Sequence, residues 1–248
     1  MDAAKEAGAD SFKLQIYNPS DLAHARGGRD KVITQGPWAG RTLIDIYTEG
    51  ALPVLWLPRL FLHAKELDLT LFASVFDWDG IQALRQFDCA AAKIASFELR
   101  DLPLIRTARL LKVPMILSTG MARDQEISDA YAAAGGRDVA VLHCVSAYPC
   151  PVEKANLKRI LHLRANYPYV GFSDHTLGNE AAIGAVALGA CIIEKHLTLS
   201  RDDGGLDAAF SSEPKEFASL VKSVRATWEA CQGGEQFTPY KDLRSNAA

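Results

Sequence analysis

Residues 169–197 read YVGFSDHTLGNEAAIGAVALGACIIEKHL, and they contain one full repeat unit of the fold. YVGFSD (169–174) and CIIEKHL (191–197) are short runs of the kind that form buried strands, and NEAAIGAVALGA (179–190) between them is an amphipathic stretch with glycine at its joint. The same alternation continues upstream. SFKLQIY (11–17), LTLFASVF (69–76), AAKIAS (91–96), PMILSTG (114–120) and VAVLHCVS (139–146) read as strands, separated by helical stretches such as DGIQALRQFD (79–88) and QEISDAYAAAGG (125–136). Seven strands alternating with helices predict a parallel sheet.

Polar residues gather at the C-terminal ends of almost every one of these strands: Ser96 and Glu98, Ser118 and Thr119, Ser146 and Tyr148, Ser173 to His175, Glu194 to His196. An open doubly wound sheet would concentrate them at one switch point, whereas a barrel draws on all its strands. The expected fold is therefore a (β/α)8 TIM barrel with the first strand missing, seven βα units in a single domain over residues 1–248. Residues 1–9 look like the tail of a helix. The stretch from Asn18 to Arg59 is too long for an ordinary connection, and GPWAGRTLIDIYTEG (36–50) within it reads either as a decorated loop or as a lid over a substrate.

Composition narrows the function classes. The 248 residues are 48% hydrophobic and 23% charged, with a formal net charge of −3, so neither a nucleic-acid stripe nor a polybasic membrane patch is expected. Five scattered cysteines without a C-x-x-C pair favour reduced thiols. No apolar run reaches membrane-spanning length and MDAAKEAGAD is no signal peptide, which points to the cytoplasm.

Strand alternation gives the sharpest chemical reading. Ser173 and His175 share one face of their strand, as do Glu194 and His196 of theirs, so adjacent strands would set His175 beside His196 at the open mouth. Two neutral imidazoles there could hold a divalent metal, although separate histidines are more often structural. Lys13 and Gln15 share a face, and Lys93 opens a strand flanked by small apolar residues. Two inward lysines are costly unless they meet an anion, which implies a phosphate or carboxylate ligand; the bland alternative is that one or both snorkel outward. Ser118-Thr119-Gly120 offers hydroxyls and amides to a phosphate. His143, in mid-strand, reads as a satisfied interior histidine. Tyr148-Pro149-Cys150-Pro151 makes a rigid corner from which Tyr148 could project over the site.

Taken in order, FKLQ, AAKIASFELRDLPLI, ILSTGM, LHCVSAYPCP, GFSDHTLG, ALGACIIEKHLTL and DDGGLDAAFSSEP closely resemble the sialic acid synthase family over essentially the whole chain, and GPWAGRTLIDIYTEG is similar to its pseudaminic acid synthase branch. The resemblance implies that Lys13, Lys93, Ser96, Ser118 and Ser173 bind phosphoenolpyruvate, that His175 and His196 hold Mn²⁺ or Mg²⁺, and that Gln15, Glu98, Tyr148 and Asp207 face an amino sugar. Val75 stands where many relatives carry threonine, and Ser146, a further substrate-binding candidate, where some carry asparagine. The family's first strand and its C-terminal antifreeze-like domain find no counterpart in the sequence, so a homodimer of the full-length form, and weak folding and feeble activity of the chain alone, are the matching expectations.

The implied reaction joins phosphoenolpyruvate to the open-chain aldehyde of 2,4-diacetamido-2,4,6-trideoxy-altrose, giving a nine-carbon 2-keto acid and phosphate. The catalytic candidates are Glu98, Lys93, His175 and His196, with Glu98 positioning water. The alternatives are a sialic or legionaminic acid synthase, a keto-deoxy-octulosonate type of synthase, a Schiff-base aldolase using Lys93, and a remnant that binds ligand without turnover.

Overall fold

In the computed structural model residues 1–36 and 38–232 are described; residues 233–248 of the expected domain lie outside the described residues. Seven strands form one sheet: β1 (Ser11–Ile16), β2 (Thr70–Val75), β3 (Ala92–Ile94), β4 (Met115–Ser118), β5 (Val139–Cys144), β6 (Tyr169–Asp174) and β7 (Ile193–Lys195). They are parallel and follow sequence order, each pairing with the next. All seven strands expected from the sequence are present. Two span half or less of the runs read from the sequence. AAKIAS yields only Ala92–Ile94 because the chain bends into a 3-10 turn at Ser96–Glu98, and CIIEKHL yields only Ile193–Lys195.

Among the described residues β1 and β7 each have one strand neighbour.

The helices fall between the strands: α1 (Asp2–Glu6), α2 (Pro19–Ala25), α3 (Leu43–Gly50), α4 (Leu57–Glu66), α5 (Trp78–Leu84), α6 (Leu102–Ala108), α7 (Asp124–Ala133), α8 (Lys158–Arg164), α9 (Glu180–Ala187) and α10 (Pro214–Gln232). Every residue of β5 is buried, as is normal for a parallel strand covered on both faces. Ile94, Leu117, Val141 and Ile160 belong to the continuous apolar core. At Gly171 a Cβ would lie 2.5 Å from both the Ile192 carbonyl oxygen and Leu142 Cδ2, so glycine is what lets β6 lie this close to the chain entering β7.

The long stretch after β1 is not a plain loop. It contains α2, capped by the Asn18 side chain, and α3, capped by Thr42. No described helix is long and apolar enough to cross a membrane.

Candidate active site

Strand register sets the site. Ser173 pairs with Glu194 and Asp174 with Lys195, so each strand sends alternate side chains to opposite faces. Lys195 Nζ meets Asp174 Oδ2 at 2.6 Å, with side chains 2% and 0% exposed, while Thr176 donates from both its amide and its hydroxyl to Asp174 Oδ1 at 2.8 Å. This pair clamps β6 to β7 and leaves the other face to Ser173, His175, Glu194 and His196.

On that face His175 and His196 stand side by side, ring centroids 5.7 Å apart. His175 Nδ1 lies 2.9 Å from the Val145 carbonyl, which can only accept, so Nδ1 carries a proton and, in the neutral imidazole, Nε2 keeps its lone pair. Burial disfavours the His175 imidazolium, but Cys144 Sγ, 3.9 Å away, and the Val145 carbonyl outweigh it and hold His175 above its ordinary value. His196 goes the other way: burial, with Lys13 and His175 nearby, pushes it down to about 3. Asp207 Oδ2 lies 3.5 Å from His196 Nδ1, and burial raises the Asp207 carboxyl.

The lysines converge on the same place. Lys93 is 2% exposed, donates to Ser118 Oγ at 2.7 Å and does not snorkel outward. Burial, opposed by Glu194 and reinforced by Lys13, lowers its ammonium to about 8. Lys13 Nζ lies 2.8 Å from Glu194 Oε1, Lys93 Nζ lies 3.7 Å from the same oxygen, and Ser173 Oγ donates to it at 2.9 Å. The anion that meets both lysines is thus a side chain of the protein. Burial alone would raise the Glu194 carboxyl, but Lys13 and Lys93 outweigh it and keep the group far below the usual carboxylate range.

Beside this cluster the serines line one wall. Ser96 Oγ accepts from the Gly120 amide at 3.0 Å, and Ser146 Oγ is buried with no partner among the described residues. A Cβ at Gly120 would fall 2.3 Å from Ser146 Oγ and 2.9 Å from Ser96 Oγ, so the absence of a side chain there keeps the wall open.

Tyr148 projects as expected: its ring centroid is 4.3 Å from that of His175, and burial raises its phenol. Trp38 packs on Tyr148 and Phe210 with centroids 6.3 and 6.2 Å away, and its indole N–H donates to the Leu206 carbonyl at 2.9 Å. The segment around Trp38 therefore covers the histidine side of the site. Gln15 is exposed at the end of β1 and joins no hydrogen bond of the cluster. His143 is the satisfied interior residue expected, its Nε2–H donating to the Ala155 carbonyl at 2.7 Å.

The sequence pattern of the NeuB family matches residues 1–236. The chain belongs to the NeuB family. It is 37% identical over 249 residues to the pseudaminic acid synthase of Campylobacter jejuni subsp. jejuni serotype O:23/36 (strain 81-176), covering 99% of this chain and 73% of that protein. With the pseudaminic acid synthase of Helicobacter pylori (strain ATCC 700392 / 26695) it shares 38% identity, over 91% of this chain and 67% of that one. The crystal structure of N-acetylneuraminic acid (sialic acid) synthetase from Leptospira borgpetersenii serovar Hardjo-bovis in complex with citrate superposes with a TM-score of 0.85 at 29% identity, covering 99% of this chain and 82% of that one. This NeuB-family chain is accordingly an enzyme of the synthase kind.

Two residues of this NeuB-family site escaped the sequence reading. Glu194 was visible as sharing a face with His196, but not as the counter-ion of Lys13 and Lys93. Arg26, at the end of α2, reaches Glu98 across 72 residues of sequence, and no local pattern announces it.

Among the described residues no group of three His, Cys, Asp or Glu side chains is arranged to hold a metal ion. The pair His175 and His196 nevertheless suits a divalent cation in its donor chemistry. The Val145 carbonyl fixes the His175 tautomer with Nε2 bare, His196 is held neutral, and the Asp207 carboxyl adjoins it.

Proposed function

We propose that this chain condenses phosphoenolpyruvate with the open-chain aldehyde of 2,4-diacetamido-2,4,6-trideoxy-altrose, releasing phosphate and a nine-carbon nonulosonic acid, pseudaminic acid. The observation that carries the reading is one cluster beside His175 and His196 in which Lys13, Lys93 and Ser173 gather on Glu194 Oε1 and Ser118 accepts from Lys93. Pseudaminic acid is the product named for both curated relatives described above, which favours that branch. The proposal extends to the fold: an eighth strand between the edges of β1 and β7 would complete a (β/α)8 barrel. A groove of about 310 Å³, lined by Ala9, Asp10, Ile193, Leu220 and Trp228, runs beside those edges.

The chain's own residues divide the work. Lys13 and Lys93 offset the charge of phosphoenolpyruvate, and Ser96, Ser118 and Ser173 donate to its oxygens. Gln15, Tyr148 and Asp207 orient the sugar, and Trp38 keeps bulk water from its side of the pocket. His175 and His196 would hold Mn²⁺ or Mg²⁺, which supplies Lewis-acid polarisation of the aldehyde oxygen when bound.

The phosphoenolpyruvate methylene carbon forms the new bond to the aldehyde carbon, whose oxygen takes up a proton. Water then bonds to C2 and gives a proton to Glu98. Breaking the C2–O bond sends its electron pair to the departing phosphate, and the new hydroxyl becomes the ketone as its proton leaves.

Release of phosphate that requires both substrates and stops on adding chelator tests the reading. Phosphate released without the sugar, or turnover indifferent to chelator, would refute it. The lowered Lys93 ammonium favours one rival, a Schiff-base aldolase. Borohydride with pyruvate would trap Lys93 in that case and leaves the chain unmodified in ours.

A further inference from the structure

The segment that leaves β1 returns over the strand ends and delivers one cation to a catalytic candidate. Asn18 caps α2 by accepting from the Ser20 and Asp21 amides, Pro19 fixes the first turn, and the helix ends at Arg26. The Arg26 guanidinium lies 4.1 Å above the centre of the Phe97 ring, and its Nη2 donates to Glu98 Oε1. Glu98 is 8% exposed and sits on the turn that follows β3, the strand bearing Lys93.

One atom of this pair is left over on each side. Glu98 Oε2 and Arg26 Nε are both buried with no hydrogen-bond partner among the described residues. A buried acceptor without a donor costs free energy comparable to a lost hydrogen bond, so it is retained where something else fills it. With Oε1 held by Arg26, Oε2 is the oxygen available to a donor arriving in the pocket.

We propose that Arg26 is a positioning residue: it pins Glu98 Oε1, so that Oε2 faces the water that attacks C2. This rests on the reading of Glu98 given under the proposed function. The charged and titratable groups facing Glu98 are Arg26 from the end of α2, Lys93 from β3 and Tyr47 from α3. Burial raises the Glu98 carboxyl, and Arg26 first, then its own backbone and Lys93, work against that rise. Without Arg26 only the backbone and Lys93 remain to oppose burial, and the carboxyl moves toward the protonated form, which donates where the reaction needs an acceptor. Arginine suits the task because its flat cation stacks on Phe97 while one edge binds the carboxylate; a lysine supplies the charge without the stacking.

The test is a carbon NMR titration of the full chain with labelled glutamate carboxyls, Glu98 being assigned by its loss in Glu98→Gln. Arg26→Gln is expected to raise the proton affinity of Glu98 at least tenfold, to move the acid limb of the kcat profile to higher pH in step, and to leave KM for phosphoenolpyruvate nearly unchanged. Arg26→Lys is expected to recover most of both shifts. A Glu98 that titrates at the same pH in Arg26→Gln overturns the role of Arg26 alone. A Glu98→Gln protein with an undiminished rate overturns the water-positioning reading, and with it the purpose assigned to Arg26, whatever the titration shows.

Discussion

Replacing Lys93 by methionine should weaken the ligand and strengthen the fold. Methionine has a similar length and fills the same apolar surroundings, but carries no charge. The Lys93 ammonium falls from 10.5 to about 8 in the folded chain. That gap corresponds to about 3 kcal/mol against the buried charge. At pH 7 both the folded and the unfolded chain are protonated at Lys93, so the folded state bears this cost in full. Between about 8 and 10.5 the folded chain gives up a proton that the unfolded chain keeps, and wild-type stability rises with pH. The variant lacks that titration. Its advantage of about 3 kcal/mol at pH 7 should therefore shrink toward zero near pH 10.5. No orphan charge is left behind, because Glu194 keeps Lys13 at 2.8 Å and the Ser173 hydroxyl at 2.9 Å. Ligand affinity moves the opposite way. Loss of one partner from a desolvated charge pair costs about 2–5 kcal/mol, or roughly 30- to 5,000-fold in Kd. Urea denaturation at pH 7 and pH 10 reads the first effect, and calorimetric titration with phosphoenolpyruvate in chelator reads the second. A variant that binds phosphoenolpyruvate as tightly as the wild type at pH 7 would refute the assignment of Lys93.

Three other perturbations bear on separate parts of the account. His175→Ala or His196→Ala should abolish metal-dependent condensation while leaving the circular dichroism spectrum intact; unchanged turnover in both would remove the histidine pair from the metal assignment. Asp174→Ala strands the Lys195 ammonium on the buried face and should destabilise the fold by about 3–5 kcal/mol in urea denaturation, whereas a loss below about 1 kcal/mol would contradict the clamp between β6 and β7. The 6-deoxy altrose substrate should be turned over in preference to N-acetylmannosamine by roughly 10–200-fold in kcat/KM, since Trp38 and its apolar neighbours suit a methyl group; equal or faster use of N-acetylmannosamine would reverse the choice of sugar.

What the sequence disclosed follows from the range of the interactions involved. Strand alternation is local, so the pairing of His175 with His196 and the division of Asp174 and Lys195 from Ser173 and Glu194 could be read from spacing, and the structure keeps both. Lys93 was legible because small apolar residues flank it, leaving little room for an outward path. The inward lysines implied an anion, but spacing could not say that Glu194 takes that place in the folded chain, since Lys13 and Glu194 meet only when strands at opposite ends of the sheet order are brought together. Arg26 was illegible for the same reason. Its contact depends on a helix cap, a turn after β3 and the return of a long connection, none of which leaves a periodic trace. The 36–50 stretch stood open between loop and lid; the Trp38 bond to the Leu206 carbonyl and its packing on Tyr148 and Phe210 favour the lid.

The central claim is that phosphoenolpyruvate acts as the carbon nucleophile and loses phosphate by cleavage of its C2–O bond, with water supplying the new ketone oxygen. Phosphoenolpyruvate carrying ¹⁸O in that bridging position, incubated with the chain, the amino-sugar aldehyde and Mn²⁺, separates this route from a Schiff-base aldolase and from binding without turnover in one mass-spectrometric measurement. The account requires a nine-carbon 2-keto acid free of the label and phosphate that has kept it. Label retained in the sugar acid, or phosphate formed with no nine-carbon product, would contradict it.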